Sequence, residues 1–322
     1  MPIISIIIPI YNVENFIEKC AISLFEQSLQ DIEYIFIDDC SPDNSIGILK
    51  RIIKLYPHRN VQIITHEHNK GLAAARKTGL FAATGKYIAH CDSDDWVEPN
   101  MYEELVESAE ANNADIVTSS ILLEETKHTK VINYPYTNEI IDDILNPDYF
   151  GWIYGAVWNK LIKKELYFSN NIFPIEGINM WEDTILTLRL RLASKKTIII
   201  KKPYYHYWVG ERQSTFFSII DMKKVNEMIT ATKFIEDFLN KNNLEKKSYL
   251  YVSRMKLLTK ERLLSTPSWE HLNRWKEIFP DNDLNVWKFK QYSLITKLKI
   301  TILHYLPKYF GYPFFLLRRK HV

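Results

Sequence analysis

Residues 3–8 read Ile-Ile-Ser-Ile-Ile-Ile and run straight into Pro9. A strand built from them has no polar face, so both of its sides must be covered. That is the pattern of a parallel sheet held between two helical layers. Comparable apolar runs recur at residues 33–39, 61–64 and 87–89. The intervening stretches 13–27, 44–55 and 72–84 carry apolar residues at helical spacing, the last of them Ala-rich and stopped by Gly85. The resulting β-α-β-α-β-α-β order predicts an α/β fold: a mostly parallel sheet, helices on both faces and right-handed crossovers.

In such sheets ligands bind beyond the carboxyl ends of the strands. Four polar clusters fall there: Tyr11-Asn12, Asp38-Asp39, Asn69 to Arg76, and Asp92-Ser93-Asp94-Asp95. Three carboxylates in four positions repel one another unless a cation or hydrogen-bond donors neutralise them. Oxygen ligands of this kind suit Mg²⁺ or Mn²⁺; the plainer reading is an acidic turn that caps the next helix. Asp38 or Asp39 can accept from a base N–H or a ribose hydroxyl, and Arg76 can face a diphosphate. No G-x-G-x-x-G follows the first strand and no G-x-x-x-x-G-K-[ST] occurs, which argues against a common dinucleotide site and a P-loop hydrolase.

The remaining chain extends this domain and then changes character. A helix is expected over 99–113, a strand over 114–120, a polar hairpin within 124–137, a helix over 184–193 and a strand over 197–200. Residues 151–166, with Trp152, Tyr154, Trp158, Asn159 and Lys160, read either as a pocket wall or as a packed helix. Beyond residue 216 the spacing predicts long helices at 221–240 and 244–264. The expected division is a catalytic domain over 1–216, with halves at 1–98 and 99–216, followed by a C-terminal helical extension over 217–322. The segment from Lys288 to Arg319 is aromatic and basic, broken by Pro307 and Pro313. That composition suits an amphipathic surface lying on anionic membrane, or equally a helix packed on its own domain.

A net charge of +2 over 322 residues carries no global polyanion signal, so no nucleic-acid partner is expected. Cys20, Cys40 and Cys91 have no metal-binding spacing, and so sparse and odd a count predicts reduced thiols in a cytoplasmic protein. The first residues lack a basic region and a cleavage site. No run of about 18 apolar residues occurs, so neither a signal peptide nor a membrane span is expected.

Taken in order, Ser5 to Asn12, Ile37-Asp38-Asp39-Cys40-Ser41, Asn69 to Arg76, Asp92-Ser93-Asp94-Asp95, Glu182-Asp183 and Tyr205-His206-Tyr207 resemble the family 2 inverting glycosyltransferases. The resemblance covers about residues 3–215 and implies a GT-A fold, with a nucleotide-sugar half and an acceptor half. It implies that Pro9, Tyr11 and Asn12 shape the base pocket and that Asp39 bonds uracil. Arg76 would lie beside the base and diphosphate, Asp92 at the ribose or sugar, and Asp94 on the metal, Mn²⁺ or Mg²⁺, with His206 as a further metal or diphosphate contact. Asp183 would be the general base, with Arg212 and Ser214 closing over the phosphates. Trp158, Lys160 and Glu182 stand as acceptor-side candidates. Two positions depart from the family: Cys40 where Gly is usual, and Lys77 where Asn is usual.

The expected activity is transfer of a hexose or N-acetylhexosamine from a UDP-sugar to a glycan or lipid-linked glycan hydroxyl in surface-polysaccharide assembly. It would take place at the cytoplasmic face of the membrane. A nucleotidyltransferase and a non-catalytic glycan- or membrane-binding adaptor are the competing readings. The first lacks its phosphate loop after strand one, and the second has no need of the intact acids.

Overall fold

The computed structural model describes residues 2–134, 141–149, 152–210, 221–265 and 268–306. The chain forms two compact units, residues 1–144 with 151–214, and residues 145–150 with 215–322.

In the first unit β1 (Ile4–Ile10) lies at the centre of a parallel group with β2 (Ile32–Asp38), β3 (Asn60–Thr65) and β4 (Tyr87–His90). All seven residues of β1 and of β2 are buried, as unalternated runs require. Ile4, Ile6, Ile8 and Ile10 face one apolar cluster with α1 (Ile17–Phe25), α2 (Ser45–Leu55) and α4 (Met101–Asn112). Ile7 faces the other, with α3 (Leu72–Ala82) and α8 (Glu182–Ala193). Gly85 turns the chain into β4 so tightly that a Cβ there would sit 2.6 Å from the Ser5 amide nitrogen.

The sheet continues through strands that sequence periodicity does not mark. Across the described residues its order is β3-β2-β1-β4-β8-β6-β9-β5, with β7 hydrogen-bonded to β6. Here β5 is Trp96–Val97, β6 Ile116–Glu124, β7 Thr129–Ile132, β8 Lys160–Lys163 and β9 Thr197–Trp208. The short helices α5 (Ile141–Ile144), α6 (Trp152–Gly155) and α7 (Lys164–Ser169) complete this unit. Residues 151–166, read from sequence as helix or pocket wall, therefore contribute a buried antiparallel strand between β4 and β6. Expected to end at Ile200, β9 instead runs on for eight residues. Its parallel register with β6 slips around Ser120, opposite Pro203. Proline cannot donate to the ladder and a bulge bends the strand there. The bent half then pairs Tyr205 and His206 with Val97 and Trp96 of β5. This delivers β9 to the acidic turn after β4.

The second unit holds α9 (Met222–Lys241), α10 (Glu245–Ser265), α11 (Trp269–Glu277), a 3₁₀ segment (Pro280–Lys288) and α12 (Leu294–Tyr305). Asp221, Ser268 and Ser293 cap α9, α11 and α12 by accepting from the Lys223, His271 and Thr296 amides. Trp275, Leu257, Leu272, Val286 and Leu303 fill the core. Within it the Lys260 ammonium pairs with Asp283 at 2.6 Å and donates to the Ile278 carbonyl. Among the described residues no helix is long and apolar enough to cross a membrane. The expected amphipathic tail beyond residue 306 lies outside the described residues, as does part of the expected hairpin within 124–137.

Cys40, at the family's usual Gly position, has φ +58°. A left-handed backbone costs an L-residue about 1–2 kcal/mol, against the roughly 0.5–1 kcal/mol of extra chain entropy that Gly loses on folding. The Cys40 side chain is exposed, so its removal empties no core space. We expect Cys40→Gly to raise stability by about 0.5–1 kcal/mol in urea denaturation; a lower midpoint would contradict the strain.

Candidate functional site

The site is built on the strand ends. After β1, Tyr11 stands half-exposed on the rim and Asn12 takes φ +56°, its amide donating to Ser41 Oγ at 2.8 Å. The Val13 and Glu14 amides donate to Ser45 Oγ and Asp43 Oδ2, so the loops after β1 and β2 form one unit. Asp39, buried, accepts from the Lys70 and Gly71 amides at 2.8 Å each, and its Oδ1 lies 2.7 Å from His66 Nδ1. Gly71 has φ +90° and a Cβ there would strike the Asn179 side chain, so the loop before α8 closes against the start of α3.

The Asp92–Asp95 turn is closed by the Asp95 amide donating to the Asp92 carbonyl at 3.1 Å. Among the described residues Asp92, Asp94 and Asp95 form the one carboxylate group compact enough for an ion, with ligand oxygens within 4.8 Å of each other. The three are not equivalent. Asp95 is 1% exposed and accepts from the Tyr205 hydroxyl and the Trp208 amide, each at 2.9 Å. Burial, with the Asp92 charge beside it, holds the Asp95 carboxyl well above the usual carboxylate range. Tyr205 also accepts from the Asp92 amide at 3.0 Å, so a single phenol ties both ends of the turn to β9. A recess of about 160 Å³ opens beside Asp94, lined also by Asn15, Phe16, Lys19, Trp96 and Trp208. That is smaller than the ~300–1,000 Å³ of a whole-ligand pocket.

Arg76 joins this turn to the start of α8. It is 1% exposed, with Nη2 on Asp92 Oδ1 at 2.8 Å and Nε on Glu182 Oε1 at 2.9 Å. Trp181, just before α8, takes φ +63°, an uncommon conformation for a bulky residue and one that concentrates at functional sites. Half-buried Asp183 follows in the first helical turn, its Oδ1 accepting from the Thr184 amide at 2.7 Å. Burial raises the carboxyl groups of Glu182 and Asp183, opposed by the Arg76 guanidinium; Asp183 is pushed up to about 6. The Asp92 charge is among the groups raising Asp183, which puts the turn acid and the helix acid in one electrostatic field.

Several side chains sit elsewhere than the sequence suggests. His206 does not face the carboxylate cluster: its Nδ1 meets Glu124 at 2.7 Å, its Nε2 meets Glu98 at 2.8 Å, and its ring stacks on Trp96. Its two nitrogens link β9 to Glu124 at the end of β6 and to Glu98 just after β5. Trp158 is interior, stacked between Tyr205 and Tyr207 at 4.4 and 5.2 Å. Lys160 is interior too, donating to the Ala156 carbonyl, Asn159 Oδ1 and the Tyr134 hydroxyl. Glu182 is buried on Arg76 rather than open to an acceptor, and Arg76 is spent on two carboxylates rather than open to a diphosphate. Arg212 and Ser214 lie outside the described residues. His66, Glu98 and Glu124 carry no local sequence signal, because their partners are distant in the chain; Tyr205 and His206 are marked by the resemblance alone, which does not name their partners.

A parallel half with an acidic turn at its carboxyl edge, extended by a mixed half that supplies a helix-borne acid, is the arrangement of a GT-A fold. Residues 5–154 match the family described as Glycosyl transferase family 2. A glycosyltransferase of Haemophilus influenzae is 43% identical over 64% of this chain and 94% of its own length. EpsJ of Bacillus subtilis, a glycosyltransferase, is 34% identical over 64% of this chain, and the match spans about three-fifths of EpsJ, 61%. The chain belongs to glycosyl transferase family 2. Among solved structures, S. aureus TarS 1-349 in complex with UDP-GlcNAc has the same fold, with a TM-score of 0.71 at 18% identity over 98% of this chain and 90% of that one. A Pyrobaculum calidifontis mannosyltransferase in complex with GDP-Man and Mn²⁺ gives 0.57 at 16% identity over 99% of this chain and 88% of that one.

Tyr205→Phe should leave Asp95 with one lost donor inside the protein, a cost of about 1–3 kcal/mol. The check is thermal or urea unfolding, and an unchanged midpoint would mean that the phenol does not hold the turn.

Proposed function

We propose that this protein is an inverting glycosyltransferase that moves a hexose or N-acetylhexosamine from a UDP-sugar to a glycan or lipid-linked glycan hydroxyl. The acceptor would be met at the cytoplasmic face of the membrane. One observation carries the reading: the Asp92–Asp95 turn and Asp183 lie in one electrostatic neighbourhood, bridged by the buried Asp92–Arg76–Glu182 pairs. Family membership and the UDP-GlcNAc complex of TarS support a nucleotide-sugar donor.

In this account the loop of Pro9, Tyr11 and Asn12 walls the base, and Asp39 fixes the Lys70–Gly71 backbone beside it. Asp94 and Asp92 hold a divalent ion, Mn²⁺ or Mg²⁺. The all-oxygen donor set fits such an ion, and Asp95 is already committed to Tyr205 and Trp208. Such an ion neutralises the charge that develops on a diphosphate leaving group. Asp183 accepts the proton of the acceptor hydroxyl as that oxygen attacks the anomeric carbon. The carbon–oxygen bond to the diphosphate breaks on the opposite side, so the product has inverted configuration. The Arg76–Glu182 pair fixes the start of α8, the helix that carries Asp183.

Asp183→Asn should keep UDP binding and lose transfer by about 10²- to 10⁴-fold, the usual worth of a general base. Turnover measured as UDP release settles it, and undiminished transfer removes Asp183 from the chemistry. Because the base acts deprotonated and its pKa is raised to about 6, the wild-type rate should be flat above that pH. It should fall as the pH drops below it, and the residual rate of Asp183→Asn should lack this acid limb. Asp94→Ala should abolish metal-dependent UDP binding in calorimetry; normal Mn²⁺-dependent binding would exclude Asp94 as a ligand.

A further inference from the structure

From Leu284 to Val322 the chain carries eight Lys or Arg residues and no Asp or Glu, while the preceding residues are net acidic. Basic charge without acidic partners is thus concentrated in the last residues of the sequence. Within that stretch, α12 buries Thr296, Ile300 and Leu303 and leaves its opposite side bare. Leu294 is 62% exposed, Ile295 79%, Leu298 46% and Tyr305 69%. At 100° per residue, these four positions and the half-buried Ile302 fall within a single arc of about 100°. Lys297 and Lys299 flank that arc on either side. Trp287 stands beside it, 46% exposed, with its indole N–H on Thr301 Oγ1 at 2.9 Å.

Apolar side chains this exposed on one helix face are what a soluble surface avoids and an interfacial helix requires. The paired features, an apolar stripe edged by lysines and an exposed Trp and Tyr, match the boundary between headgroups and acyl chains. A protein partner would satisfy the apolar stripe equally well. Lys297 and Lys299 at the edges of the stripe, with the unbalanced basic composition of residues 284–322, favour an anionic lipid surface.

We infer that α12 is a membrane-docking element, lying in the plane of an anionic bilayer with Leu294, Ile295, Leu298 and Tyr305 inserted. This deepens the proposed encounter with a membrane-borne acceptor and rests on that reading for its purpose. The binding test itself needs no turnover, so the two can fail separately.

The test is co-sedimentation of the full chain with vesicles of phosphatidylcholine alone and with about one-third phosphatidylglycerol. We expect binding to the anionic vesicles only, weakened by high salt. The double variant I295E and L298E, both at exposed positions, should bind at least about tenfold more weakly while keeping its circular dichroism and its UDP affinity. Lys297→Gln with Lys299→Gln should weaken binding and reduce its salt sensitivity. Equal vesicle binding by I295E/L298E would overturn the proposal in favour of the last residues alone. Absence of vesicle binding, with a wild-type dimer that the same variant makes monomeric, would overturn it in favour of a second copy of the chain.

Discussion

A guanidinium with almost no solvent contact is held between two carboxylates from distant parts of the chain, and the first unit depends on that arrangement. Burial alone would lower the Arg76 pKa; the Glu182 and Asp92 carboxylates outweigh that and raise it above its ordinary value. Among the described residues the Arg76 Nη1 finds no hydrogen-bond partner, nor does Glu182 Oε2. A buried ion pair is weak evidence for net stability, because desolvation offsets much of the attraction. It does fix geometry. Arg76 lies on α3, Asp92 follows β4 and Glu182 opens α8, so one residue sets the spacing between the turn after β4 and the helix that carries Asp183.

A second constraint acts on the same turn from the opposite side. The irregularity around Pro203 releases β9 from its first register, and its bent half crosses to β5. There Tyr205 bonds both the Asp92 amide and the Asp95 carboxylate, and His206 bridges Glu98 and Glu124. The Asp92–Asp95 turn is therefore restrained by Arg76 through a side chain and by Tyr205 through the backbone. Preorganisation of this kind means that the carboxylates need not be gathered from solvent for any charged group that meets them.

Which parts of this were legible in the sequence follows from how local each determinant is. Ile3 to Ile8 and Ile35 to Ile37 announce covered strands because burial on both faces leaves its mark residue by residue. The carboxylates at 92–95 stand out because their crowding is itself local. Strand β8 was hidden because Lys160-Leu161-Ile162-Lys163 is short, and its ends look like surface until Lys160 finds Ala156 and Tyr134. His206 enters as a candidate only through the family resemblance, since nothing in its local sequence names its partners. Only the fold reveals that two glutamates from elsewhere already hold both nitrogens. Arg76 had the right address and a different neighbour, since Glu182 is 106 positions away.

The measurement that bears most directly on this account is a double-mutant cycle over Arg76 and Glu182, read by urea unfolding. Arg76→Met and Glu182→Gln should each destabilise by about 3–5 kcal/mol, because each strands a buried charge or polar group. If Arg76 joins the two halves as described, the double variant loses clearly less than the sum, a coupling of up to about 3 kcal/mol. Losses that add without coupling would contradict it.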